Sequence, residues 1–170
     1  MLYTFRILLD YEQDVFRDIQ IKGEQNFIEL HKAIQNAFGF DNSQISSFYL
    51  SDDNWNKGDE ISMMDMAGEQ GEGTSYSMSD TTIELLAQEE GQKLVYVSDF
   101  FLMWCFFVEL VKISEPAKGF EYPSIALSVG ESPEQYSKDG DIEFEVDEKS
   151  DDSDREEDIF DGFDDFDDYQ

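Results

Sequence analysis

The chain has 170 residues, 40% hydrophobic and 15% aromatic, enough for one packed domain with an appendage and a poor fit to two independent cores. Its 41 acidic side chains stand against 11 basic ones, a formal net charge of −30, so its surface repels phosphate backbones and direct nucleic-acid binding is not expected. One cysteine and one histidine exclude an internal disulfide, a zinc site built on several thiolates, and a paired-histidine metal site.

Taken in chain order, Tyr3 to Leu9 is apolar and β-prone and reads as a strand. After the polar break Asp10 to Asp14, Val15, Arg17, Ile19 and Ile21 alternate with Phe16, Asp18, Gln20 and Lys22, which predicts a second strand. So short a break predicts a hairpin. Asn26 is placed to cap a helix, with Glu29 completing a box-like start. Phe27, Leu30, Ile34, Ala37 and Phe38 follow at helical spacing, and Gly39 is the stop. Ile45 to Leu50 reads as a third strand. Ser51 to Ser79 reads as a long loop with one ordered piece around Ile61 to Met66. Asp80 is placed to cap a short helix through Ile83, Leu85, Leu86 and Ala87, with Gly91 as its stop.

Leu94 to Asp99 and Met103 to Ile113 are nearly all apolar, as strands central in a sheet are. The order strand, strand, helix, strand, short helix, strand, strand predicts an α+β domain, a mixed sheet with helices on one face. From Ser114 the chain holds all three prolines, Pro116, Pro123 and Pro133, and reads as an irregular wrap. Ile142 to Val146 reads as an edge strand closing a domain over 1–146. Residues 147–170 form a low-complexity acidic tail, expected to be disordered because it buries too little apolar surface. About half of the acidic excess lies in 139–170, which holds 17 acidic and 2 basic residues.

Residues able to carry chemistry are few. His31, beside Leu30 on the helix, reads as a packing residue, and Cys105 within Trp104 to Val108 reads as an unreactive core thiol. Asp52 to Gly58 invites a calcium loop, but its glycine falls seventh instead of sixth and the twelfth position is Met63. Gly68, Gly71 and Gly73 are interleaved with Glu69 and Glu72, which repel phosphate. No catalytic, cofactor-binding or metal-ligating residue is therefore assigned, and an enzyme is not expected. Met1 to Arg6 has no signal-peptide pattern. The longest apolar stretch, Phe100 to Val108, is about half a bilayer span. A cytoplasmic location without membrane contact is expected.

In the tail, Phe160, Phe163, Phe166 and Tyr169 recur every third residue among aspartates. Disordered segments are poor in large aromatics, so this alternation points to a segment that docks into a basic, apolar groove.

The run Tyr3 to Phe40, with its hairpin and the helix Phe27 to Gln35 leading into Ala37-Phe38-Gly39-Phe40, resembles the Ri-plasmid open-reading-frame-three-like family, also met as a transposon passenger protein. Leu94 to Phe100 with Trp104 and Phe107 to Leu110, then Tyr122-Pro123 and Gly130 to Gln135, is similar to its later signatures. The chain most resembles the small acidic, tail-bearing, Bacteroidetes-type members. The resemblance implies a small α+β domain of β-grasp flavour and marks Asp99, Trp104 and Glu109 as a signature site. The family's Asp-Phe-Gly-Asp departs here to Asp99-Phe100-Phe101-Leu102, and its histidine after the tryptophan is missing.

These features favour a protein-interaction module engaging a basic protein through its acidic face or tail. A nucleic-acid mimic that occupies a DNA-binding protein is the alternative, and an enzyme using carboxylates and a divalent metal in Asp52 to Asp65 comes third. The sequence sets no oligomeric state.

Overall fold

The computed structural model describes residues 1–63 and 75–138. The chain divides into two compact units, 1–134 and 135–170, and every element below lies in the first. The boundary near Val146 and the tail aromatics Phe160, Phe163, Phe166 and Tyr169 lie outside the described residues.

The strands are β1 (Leu2–Leu9), β2 (Phe16–Lys22), β3 (Ser46–Ser51), β4 (Lys57–Ser62), β5 (Ser75–Ser77), β6 (Lys93–Ser98), β7 (Trp104–Ser114) and β8 (Ser124–Val129). The helices are α1 (Phe27–Ala37) and α2 (Ile83–Leu86). All the strands join one mixed sheet in the order β5-β4-β3-β6-β7-β1-β2-β8, antiparallel except for the β4·β5 pair. The α+β class, the β1–β2 hairpin and the central place of the two most apolar strands are as the sequence predicts.

Three strands were not expected. β4 and β5 fall within the segment read as a loop, and β8 within the segment read as an irregular wrap. The reason is one of position. All three lie toward the sheet's margins, and Lys57–Ser62 keeps a single buried apolar residue, Ile61. Such a strand has no alternation to read.

The period-two rule is plain in β7. Trp104, Phe106, Val108 and Leu110 are buried in the core shared with α1, while Cys105, Phe107, Glu109 and Val111 on the other face are only partly covered. Phe27, Leu30 and Ile34 of α1 meet that core, with Phe27 5.2 Å from Phe48 and Phe38 4.9 Å from Phe106 between ring centroids. Each fully buried side chain of this size contributes roughly 1.5–3 kcal/mol.

The helix ends are chemically defined. Asn26 accepts the N–H of Glu29, as predicted, but Glu29 accepts from Gln25 Nε2 instead of closing the box. At the other end Gly39 (φ 74°) lets its own N–H reach Asn36 O and that of Phe40 reach Gln35 O, a Schellman stop. α2 is capped by Thr82 instead of Asp80, without a side-chain bond, and ends at Ala87 well before Gly91. The buried Arg17 guanidinium donates to Ala37 O, Phe16 O and Val129 O and so fastens the end of α1 to β2 and β8. Gly130 (φ 80°) sits where a Cβ would collide with Asp14 O, and this holds the chain leaving β8 against the β1–β2 turn.

Candidate functional site

Asp99, Trp104 and Glu109 do not converge. Trp104 is wholly buried on the α1 side, 5.5 Å from the Phe40 ring and 6.5 Å from Tyr11. Glu109 lies five residues along β7, about 17 Å away by strand rise, and on the opposite face. There it continues a row of alternating charge across four strands: Asp18 opposite Arg6, Arg6 opposite Glu109, Glu109 opposite Lys93. Arg6 grips Asp18 through two 2.9 Å bonds, and this, with the nearby Glu109, raises its pKa.

His31 is buried and fully engaged. Its Nε2 lies 2.6 Å from Asn42 Oδ1, which accepts only, so Nε2 carries the proton and Nδ1 accepts from Tyr96 OH at 2.7 Å. Gln35 Nε2 donates to Tyr96 OH and Ser98 Oγ, and Gln35 Oε1 accepts the Asn42 N–H. Burial lowers the His31 pKa, and it pushes the Tyr96 hydroxyl up to about 12. The cluster joins α1 to β6, with His31, Gln35, Tyr96 and Ser98 buried, as the packing reading of His31 implies, and with Asn42 exposed at its outer end. Cys105 is partly exposed instead of buried, because it falls on the uncovered face of β7. Among the described residues no group of three His, Cys, Asp or Glu side chains is arranged to hold a metal ion, and no helix is long and apolar enough to cross a membrane.

The chemistry that does collect is at one end of the sheet. Asp99, with φ 67°, turns β6 into β7, and its Oδ1 accepts the N–H of Phe101 at 3.0 Å and of Leu102 at 3.1 Å. The Met103 N–H closes on Asp99 O at 2.6 Å, while the Asp99 N–H ties the turn to Ile45 O at 2.9 Å. This fixed turn buries Leu102 and thrusts Phe101 out, 77% exposed. Phe100, Met103, Ile45 and Tyr11 are also exposed there. The same loops hold the exposed carboxylates of Asp10, Glu12, Asp14 and Asp41, and 10–15, 39–45 and 99–103 contain no lysine or arginine. Sequence reading placed Asp99 but missed the patch. Its one available signal was a pair of phenylalanines in a turn, where small polar residues are usual.

The profile of the Plasmid pRiA4b ORF-3-like proteins matches residues 1–158. The chain belongs to that family. A crystal structure of a protein of unknown function from Methanosarcina mazei Go1 aligns with this ORF-3-like chain at a TM-score of 0.67 and 20% identity, over 89% of this chain and 83% of that one. At such identity the likeness shows the shared fold. No curated protein matches this ORF-3-like chain.

Proposed function

We propose that this chain is a non-catalytic protein-interaction module whose sheet end, centred on Phe101, docks a basic partner protein. The observation that carries this reading is the turn at Asp99, which spends three hydrogen bonds on holding an aromatic side chain in water. An exposed aromatic anchor ringed by carboxylates suits a partner with an apolar pocket in a basic surface. The net charge of −30 steers such a partner from a distance, and the acidic-aromatic segment Phe160 to Tyr169 adds to that attraction. A mimic of nucleic acid needs ordered carboxylates and has no use for an apolar centre, so the anchor favours protein docking. The unpaired Cys105 fits the reducing cytoplasm.

The test compares proteins captured by the full chain and by Phe101→Ser, each eluted with rising salt. Basic proteins retained only by the wild type and released by salt support the reading, and calorimetry then measures the affinity of each directly. Identical partner lists sink it. Captured proteins that duplex DNA displaces, and that Phe101→Ser still holds, would favour mimicry instead.

A further inference from the structure

We propose that the β8 edge is where a second copy of this chain joins, with β8 pairing antiparallel to its own counterpart so that one sheet runs through a two-fold dimer. Among the described residues β8 has a strand neighbour, β2, on one side only. Its interior residues, Ile125 to Ser128, are exposed, including the apolar Ile125 at 44% and Leu127 at 43%. Exposed edges are ordinarily guarded by lysines, prolines or inward-pointing charges. Apart from a bulge opposite Asp18 and Ile19, Ser124–Val129 has none of these. Residues 122–130 carry no charged side chain, in a chain that is 31% charged.

That neutrality decides between occupants. A basic strand finds no counter-charge on β8, and a nucleic acid is repelled by the whole molecule. An uncharged strand pairing with itself about a two-fold axis meets neither difficulty. On the α1 side an open groove of about 520 Å³ separates the helix from β8, lined by Glu29, Lys32, Ala33, Asn36, Pro123 and Ile125 among others. A two-fold through the β8 edge brings the second α1 toward the first in antiparallel sense. Glu29 and Lys32 of one copy then face the same pair of the other, with opposite charges able to meet across the axis. Ala33 and Ile125 line the groove that this contact covers from both sides.

Each copy carries −30, so long-range repulsion opposes the pairing and added salt strengthens it. Docking of a basic partner at the Phe101 end weakens with salt, so the two events are told apart by the sign of their salt dependence. Sedimentation velocity on the full chain between roughly 1 and 500 μM, at roughly 0.05 and 0.5 M salt, tests the proposal. The expected result is a monomer–dimer equilibrium that tightens severalfold at the higher salt. Ile125→Lys and, separately, Leu127→Glu are expected to raise the dissociation constant about tenfold or more, with the thermal midpoint unchanged when read at a concentration where the wild type is monomeric and both sites are exposed. Hydrogen exchange of the wild type adds a reading independent of either variant: the amides of 124–129 slow as concentration rises. A chain that stays monomeric throughout, or a dimer that neither folded variant weakens and whose β8 amides gain no protection, overturns the proposal.

Discussion

Trp104 and Phe101 stand three residues apart in one aromatic run, yet the first is fully buried and the second is 77% exposed. The difference is one of place. Trp104 opens a central strand beneath the Phe38–Phe40 segment, whereas Phe101 rides a turn that Asp99 holds beyond the end of the sheet. The middle of the sheet under α1 is closed, with its rings in contact and the polar atoms of His31, Gln35, Tyr96 and Ser98 paired. The loop end has its own hydrogen bonds at the Asp99 turn, but its apolar surface faces water. Under the proposed reading, the exposed ring at the turn is the docking anchor and the buried ring three residues on is core.

The sharpest break between the two regions is expected from Trp104→Ala. It should lower stability by about 3–5 kcal/mol, read from urea unfolding, because it removes a fully buried indole from contact with Phe40 and Tyr11 and leaves a cavity. A loss below about 1 kcal/mol would mean that this end of the core is as open as the turn beside it.

Acid should reach the closed region next. Burial holds the His31 pKa below its ordinary value, so the fold favours the neutral ring. The stability this contributes is complete above about pH 6.5, and it is lost as pH falls through the lowered folded pKa, because the unfolded chain binds a proton that the fold resists. The urea midpoint should therefore decline from pH 7 to pH 5 in the wild type and more gently in His31→Gln. Equal slopes would remove His31 from the account.

The smallest effect belongs to the outer face. Glu109→Gln removes one carboxylate from the Asp18–Arg6–Glu109–Lys93 row and should cost about 0.2–1 kcal/mol, less at high salt. Partner capture should be unchanged by it, unlike by Phe101→Ser. If Glu109→Gln abolishes capture, the binding surface is the outer face and the loop end is not the site.

Much of the fold was legible, and the reasons are local. Alternation in Val15 to Lys22, the 3.6-residue spacing from Phe27 to Phe38, and the apolar runs that became β6 and β7 each announce an element that buries one face or both. β4 and β8 gave no such signal because a strand at the margin of a sheet needs little burial, and Pro123 beside Ser124–Val129 suggested irregularity. The candidate site was hidden for another reason. Tyr11, Ile45 and Phe101 come from loops more than thirty residues apart in sequence, and only the pairing of β1, β3, β6 and β7 brings those loops to one end. The Asp99, Trp104 and Glu109 signature does not gather on one face for a reason of parity, since an odd separation along β7 puts the last two on opposite faces.

The position of β1 bears on how the chain is made. Leu2 pairs with Ser114, so β1, the earliest of the described strands in chain order, takes a central place in the sheet beside β7, the last but one. At a ribosomal pace of about 5–20 residues per second, the N-terminal hairpin waits roughly 5–20 s with the β1 edge unsatisfied before β7 emerges. During that interval the β1 backbone groups that pair with β7 are unmatched, and Phe5, Ile7 and Leu9 lack their lateral neighbours Leu110, Val108 and Phe106. A nascent chain stalled shortly before Trp104 should therefore be a strong client for ribosome-associated chaperones, and one stalled well beyond Val129 should not.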